Sequence, residues 1–384
     1  MGKFNEQEYR EKLIARGLSA DTAQDVARKY AEVQRASQVK TPKPHQAAKA
    51  IDDLVTGMAL DSASGKNGKT PTKKNENSTS KKASLTSVGQ KTKKPGSKLT
   101  KAELALVDAS TQIMGKPAAG NDLAFNHGIL CQVGLPRSKV SGDSFLRRSG
   151  DAWVHVQAGV LDEGKGPVQQ TIPYGPLPRL ALAWVSTYAV RHNTAEIPIG
   201  DSAAEFLRLM GMDDQGARYK TLRTQMHALA SCRLQMGFKG RTYNAQPVEQ
   251  FDAWINDKDN DQRPLWPGAL RLSDSFFNIL MERPVPLDNR ALLALKGSAL
   301  ALDIYCWLAH RLRRIEGRPI ILYWHSLREQ FAQEYTGKNP DKDFKAAFLP
   351  QLHKVLMVYP TAKVKQVRGG LLLMPSPPPV PPKI

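Results

Sequence analysis

Residues 202–241, SAAEFLRLMGMDDQGARYKTLRTQMHALASCRLQMGFKGR, decide how the rest of the chain is read. Ser202 and Glu205 make an S-x-x-E capping box, Phe206, Leu209 and Met210 fall on one helical face, and Gly211 stops the helix. After a short turn, 217–232 predicts a longer helix with Tyr219, Leu222, Met226 and Leu229 on its apolar stripe. Residues 233–241 then alternate and turn at Gly240, which predicts a β-hairpin. A short capped helix, a turn, a longer helix and a hairpin is the order of a winged helix. In that unit the second helix fits a DNA major groove, the first braces it, and the hairpin, or wing, reaches the phosphates.

Upstream, 180–191 predicts a helix whose inner face carries Leu180, Trp184, Thr187 and Tyr188, and 196–199 a short β segment. The same order returns downstream. A helix over 300–312 contains Ile304, Trp307 and Leu308, and a β run covers 319–323. A second capping box, Ser326 and Glu329, precedes Phe331, Tyr335 and Gly337. A helix over 344–356 presents Phe344, Phe348, Leu352 and Leu356, and two β runs flank Gly369-Gly370 within 362–374. The apolar stripes, Trp184 and Trp307 included, read as core.

The outward faces carry the candidate chemistry. No acid occurs between residues 217 and 248. Arg218, Lys220, Thr221, Arg223, Thr224, Gln225 and His227 lie off the stripe of the first long helix, with Arg233, Lys239 and Arg241 on its hairpin. Arg and Gln can bond guanine and adenine edges, while Lys and Thr more often reach phosphates. In the second copy the candidates are Lys342, Lys345, Gln351 and Lys354, with Lys363, Lys365 and Arg368 on the hairpin. Pro350 is expected to kink that helix or break one hydrogen bond. One basic helix face alone is more often simply solvated. Two copies in the same slot, each followed by a basic hairpin, weigh the other way.

Ahead of these units, 101–114 predicts a helix and 128–134, 153–161 and 168–172 read as strands. Trp153, His155 and Gln157 alternate there with Val154, Val156 and Ala158, which makes His155 a surface residue of a strand. Residues 4–36 read as two short helices, either a docking hairpin for a partner or a weakly folded appendage. Between Lys66 and Lys98 lie ten lysines and one acid, Glu76, and no aromatic occurs between Tyr30 and Phe125. Such a segment cannot bury enough apolar area to order itself and reads as a disordered tether that adds DNA affinity or only solvates. The chain ends in a proline-rich run expected to project. The fold class is therefore α+β: a helical hairpin (1–37), a disordered basic linker (38–99), two tandem winged-helix domains (100–282 and 283–375) and a tail (376–384).

The net charge of +19 points to a polyanionic partner. No apolar run is long enough for a membrane helix and the first residues are no signal peptide, so the expected location is the cytoplasm. Cys131, Cys232 and Cys306 are far apart and read as three buried thiols rather than a disulfide or zinc framework. The eight histidines form no H-x-H or H-E-x-x-H pattern, and G-x-S-x-G and G-x-G-x-x-G are absent. Asp213-Asp214 and Asp257, Asp259 and Asp261 read as turn chemistry rather than magnesium sites. No catalytic activity, metal or cofactor is expected.

An ordered set of short matches also runs through the chain. It comprises Pro173-Tyr174-Gly175, Pro178-Arg179, Leu182-Ala183-Trp184, Gly200-Asp201-Ser202 and Glu205-Phe206. It continues with Arg283-Pro284-Val285-Pro286-Leu287, Leu295-Lys296, Ala301-Leu302-Asp303-Ile304-Tyr305, Asp343-Phe344-Lys345, Ala347-Phe348, Tyr359-Pro360 and 371–377. In this the sequence resembles the plasmid replication initiators of the RepA C-terminal family over about residues 100–378. The resemblance implies tandem winged helices on repeated double-stranded sites (iterons) at a plasmid origin, opening of an AT-rich region, and recruitment of the host initiator and replicative helicase. It also implies plasmid copy control through homodimers that repress their own promoter and monomers that fire the origin. A transcriptional repressor using the same two units is the alternative. An assembly protein whose tether binds RNA or membrane is a third reading, against which the tether's lack of stacking aromatics weighs.

Overall fold

A computed structural model of the chain contains two compact units, Met1–Lys91 and Thr92–Ile384. It describes Gln7, which is helical, and residues 100–163, 166–200, 202–212, 216–250 and 268–381. Beyond Gln7, the helical hairpin expected over 1–37 and the linker expected over 38–99 lie outside the described residues.

The second unit opens with α1 (Lys101–Gly115). Thr100 caps it: its hydroxyl accepts from Glu103 N while the Glu103 carboxylate accepts from Thr100 N at 2.7 Å. There follow β1 (Leu123–His127), α2 (Gly128–Gln132), β2 (Ser144–Ser149), β3 (Ala152–Gln157), β4 (Val160–Asp162), β5 (Pro167–Gln169) and α3 (Pro176–His192). Next come β6 (Glu196–Pro198), α4 (Ala203–Leu209), α5 (Gly216–Ser231), β7 (Arg233–Phe238), β8 (Arg241–Ala245), β9 (Val248–Gln250) and β10 (Ala269–Leu272). The second half is α6 (Asp274–Glu282), β11 (Pro284–Asp288), α7 (Asn289–Leu295), α8 (Ala299–Arg311), β12 (Ile320–Tyr323), α9 (Trp324–Phe331), α10 (Pro340–Val358), β13 (Val364–Val367) and β14 (Gly370–Leu373).

This is a mixed α and β fold with small antiparallel sheets. Two of them share one plan. In the first half β10 is central between β6 and β9; in the second, β14 is central between β12 and β13. Each sheet takes one edge from the strand before a helix pair and its other two strands from after it. The internal repeat is thus present, with a different strand pair in the first copy than the sequence predicts. The hairpin of Arg233, Lys239 and Arg241 does form, but β7 pairs along its length with β3, giving a four-stranded sheet β2–β3–β7–β8. Leu234 and Met236 on β7 bury against Val154 and Val156 on β3, and that apolar face decides the pairing.

Three further expectations change. Residues 128–132 are helical, with His127 as N-cap, and the strand lies just before them. Ser326 and Glu329 make no capping box, because α9 starts at Trp324 and Ser326 is inside it. The tail does not project over 376–381. Ser376 and Val380 are buried, and the Tyr359 hydroxyl donates to Pro377 O at 2.8 Å.

The two halves read as separate domains on either side of 282/283 share one core. β1 pairs with β11, from Leu123 against Asp288 to His127 against Pro284. α1, at the start of the first half, packs on α7 and α10 of the second, and α2 packs on α8. A buried ion network crosses the same boundary. Arg179 on α3 holds Asp303 on α8 with two hydrogen bonds, 2.6 and 2.8 Å. Arg147 on β2, also buried, reaches Leu135 O at 3.2 Å and Glu334 at 3.3 Å. Burial pushes the Arg147 guanidinium down to about 10. Gly134 is required beside this network, since a Cβ there would stand 2.7 Å from the Asp303 carboxylate.

Candidate nucleic-acid interface

α5 forms on the period its sequence predicts. Leu222, Met226 and Leu229 are buried, and Lys220, Thr221 and Thr224 stand on the exposed side. The Thr224 hydroxyl donates back to Lys220 O at 2.9 Å. Arg218 is half-buried near the start of the helix. The short helix before it, α4, is capped as expected, Ser202 accepting from Glu205 N at 3.2 Å. Asp213 and Asp214, in the turn between the helices, lie outside the described residues.

Two members of the expected DNA face turn inward. Gln225 is buried and its side-chain oxygen accepts from Tyr174 N at 2.7 Å, so it closes the loop before α3 and offers no edge to a base. His227 is buried, with Nδ1 3.2 Å from Glu163 Oε1. Burial lowers the imidazole below its ordinary range, against the opposing pull of Glu163. Arg223 is half-buried, its guanidinium 3.3 Å from Glu163 Oε2. Burial would raise the Glu163 carboxyl, but hydrogen bonds from Gln170 (2.9 Å) and His227 outweigh it and hold the group below its usual value. Glu163 follows β4, so the β4–β5 hairpin brackets one side of α5.

In the second copy, Lys342 and Lys354 are exposed on α10. Lys345 is half-buried, its ammonium 5.4 Å from the Trp324 ring centre. Gln351 is half-buried, and its carbonyl oxygen is sealed from solvent with no partner among the described residues. Lys363, Lys365 and Arg368 are exposed on or beside the β13–β14 pair. α10 runs unbroken through Pro350. The ring removes one N–H from the ladder, and the carbonyl it would have met, on Ala346, belongs to an exposed residue that water can satisfy.

Arg233, Lys239 and Arg241 are exposed but belong to the four-stranded sheet, away from the strands that pair with β6. Lys239 and Gly240 have φ of +49° and +79°, the two positive values that a tight hairpin turn matching strand twist requires. Sequence reasoning missed Arg148, Arg283, Arg311, Arg313 and Arg314, which make no ion pair among the described residues. The run HRLRR over 310–314 was the available signal.

Among the described residues no cluster of three His, Cys, Asp or Glu could hold a metal. Cys131, Cys232 and Cys306 are buried and unpaired. No helix among the described residues is long and apolar enough to cross a membrane.

Two sets of exposed cations thus sit on the same helix of a repeated helix and sheet plan. Residues 172–324 match the RepA C-terminal family, described as plasmid-encoded RepA protein, the family that the sequence resembles. Two solved structures are also similar. The crystal structure of RctB domains 2–3 (RctB 155–483) is 15% identical with a TM-score of 0.39, covering 64% of this chain and 94% of that one. The selenomethionine derivative of RctB domains 2 and 3 is 14% identical with a TM-score of 0.42, covering 64% and 98%. No curated protein sequence matches the chain.

Proposed function

We propose that the chain is a plasmid replication initiator that binds repeated double-stranded sites at its origin through two winged helices and has no catalytic activity of its own. The observation that carries this reading is the shared plan of the two halves. In each, a long helix, an edge strand and two helices are followed by two strands that join that edge strand in one sheet, the last of them central; in the first half the β7–β8 hairpin intervenes before those two. We read that plan as a winged helix, in which α5 and α10 would take the groove-entering position. The wing of the first unit is then β9 and β10, and that of the second β13 and β14. Lys220, Thr221 and Thr224 on α5, with Arg218 and Arg223 beside them, and Lys342, Lys345 and Lys354 on α10 are the contacts. The family match over 172–324 supports plasmid replication as the setting. Opening of the origin, recruitment of the host initiator and helicase, and repression by a homodimer belong to the same reading.

The test is a footprint of the full chain on the DNA flanking its gene. Several evenly spaced protected repeats are expected. A single protected inverted repeat would make the protein a repressor, and no protection would end the reading. Lys220→Ala together with Lys342→Ala should weaken binding to all sequences alike and flatten its salt dependence, since lysines reach phosphates rather than base edges.

A further inference from the structure

A groove runs between the two halves, outside the helix faces described above. On one side stand the β2–β3 and β7–β8 turns, and on the other the end of α8, the turn Leu312–Arg314 that follows it, and β12. It consists of adjoining cavities of about 1050 and 360 Å³ that share Gln132, Phe238, Lys239, His310 and Arg314. Seven cations line it: Arg328, which is held by Asp341 at 2.6 Å, and six others, Arg148, Lys239, Arg241, Arg283, Arg311 and Arg314. The acids in its walls are Asp151, Glu282 and Glu329, and Glu329 faces His325 at 3.2 Å. No carboxylate is within ion-pair distance of any of the six among the described residues.

Cations at the end of a helix offset its dipole, and this accounts for Arg311 on α8. It does not account for Arg148 near the end of β2 or Lys239 in the β7–β8 turn, both of the other half, or for Arg283 between α6 and β11. Like charges gathered from separate segments repel unless an anion lies among them. His310 is pushed down to about 3 by burial first and then by Arg314, Arg313 and Arg311. Deeper in the wall, His127 Nδ1 accepts from Ile129 N at 3.2 Å, which leaves the proton on Nε2, a buried donor with no partner among the described residues.

We propose that this groove is a phosphate-binding site, and that the sugar–phosphate backbone of DNA supplies the phosphates. Guanidinium forks suit phosphate oxygens. The six cations are spread over two joined cavities instead of converging on one point, which suits a backbone better than a single free phosphate group. The choice of DNA rests on the function proposed above; the phosphate site itself does not.

The experiment uses the full chain carrying Arg148→Gln, Lys239→Asn and Arg283→Gln, Asn being tolerant of the positive φ at residue 239. All three residues are exposed and without ion pairs, so the thermal midpoint should stay at the wild-type value. Duplex affinity is titrated against salt for a protected site and for random sequence. The log–log slope should become shallower by about 2–3, each lost phosphate contact being worth about 0.9, while preference for the site is unchanged. An unchanged slope in a chain that binds duplex overturns the proposal. If the wild type binds no duplex even at low salt, the function proposed above has failed, and inorganic triphosphate decides the groove. A thermal shift present in the wild type and lost in the variant would keep the phosphate site and overturn DNA as its occupant. No shift in either would overturn the site as well.

Discussion

At the scale of single residues, burial separates side chains that the sequence places on one face. Gln225 looks like a base reader by position, yet its hydrogen bond to Tyr174 N makes it structural. Gln225→Ala leaves a backbone N–H without its partner and should cost about 1–3 kcal/mol in a denaturation measurement, with DNA affinity per folded molecule unchanged. His127 and His310 give a pH prediction. Burial lowers them to about 4 and about 3, so folding holds both neutral, whereas the unfolded chain protonates them near 6.5. The unfolded state therefore binds more protons below 6.5, and stability is lost as pH falls from about 6.5 toward 4. Each histidine should contribute about 1.4 kcal/mol per pH unit in that window. Urea titrations at stepped pH should show the loss, and His310→Gln should remove one proton from the slope.

At the scale of elements, periodicity identified most helices, and their ends moved where a stronger local rule applied. α3 and α10 begin earlier than their apolar stripes because Pro176 and Pro340 start them, the position where a missing N–H costs nothing. The expected cap at Ser326 failed because Trp324 is drawn into the aromatic cluster of Phe344 and Phe348, which starts α9 three residues sooner, with Tyr323 at the cap position. The β7–β8 hairpin was legible from its alternation and its Lys-Gly turn, but its sheet was not. Nothing local says that β7 joins β3, an element that lies far earlier in the chain. The strand β10 left only a faint mark, Leu270 and Leu272 buried on either side of Arg271. Of the candidate cations, those on α5 and α10 were readable from spacing, whereas Arg148 and Arg283 come together only through the fold. Pro350 gives this scale its prediction. It is exposed, and its only visible effect is one missing ladder bond, so Pro350→Ala should stabilise the chain by about 1–3 kcal/mol in thermal or urea unfolding.

At the scale of the whole molecule, the second unit behaves as one body because its halves exchange elements. A single core and the Arg179–Asp303 pair span the boundary, so 100–282 and 283–381 should unfold together. Fluorescence from Trp153 and Trp184 in one half and from Trp307 and Trp324 in the other should follow the same urea curve. Two separated transitions would contradict this. Asp303→Ala strands the buried Arg179 charge and should cost about 3–5 kcal/mol without splitting the transition. The pairing of β1 with β11 also has a consequence during synthesis. β1 leaves the ribosome with its hydrogen-bonding edge vacant, and residues 284–288, which complete it, follow roughly 10–30 s later at ordinary rates of translation. A nascent chain stopped just short of β11 should therefore be open to proteases and chaperones, and one lengthened through residue 381 should close at once.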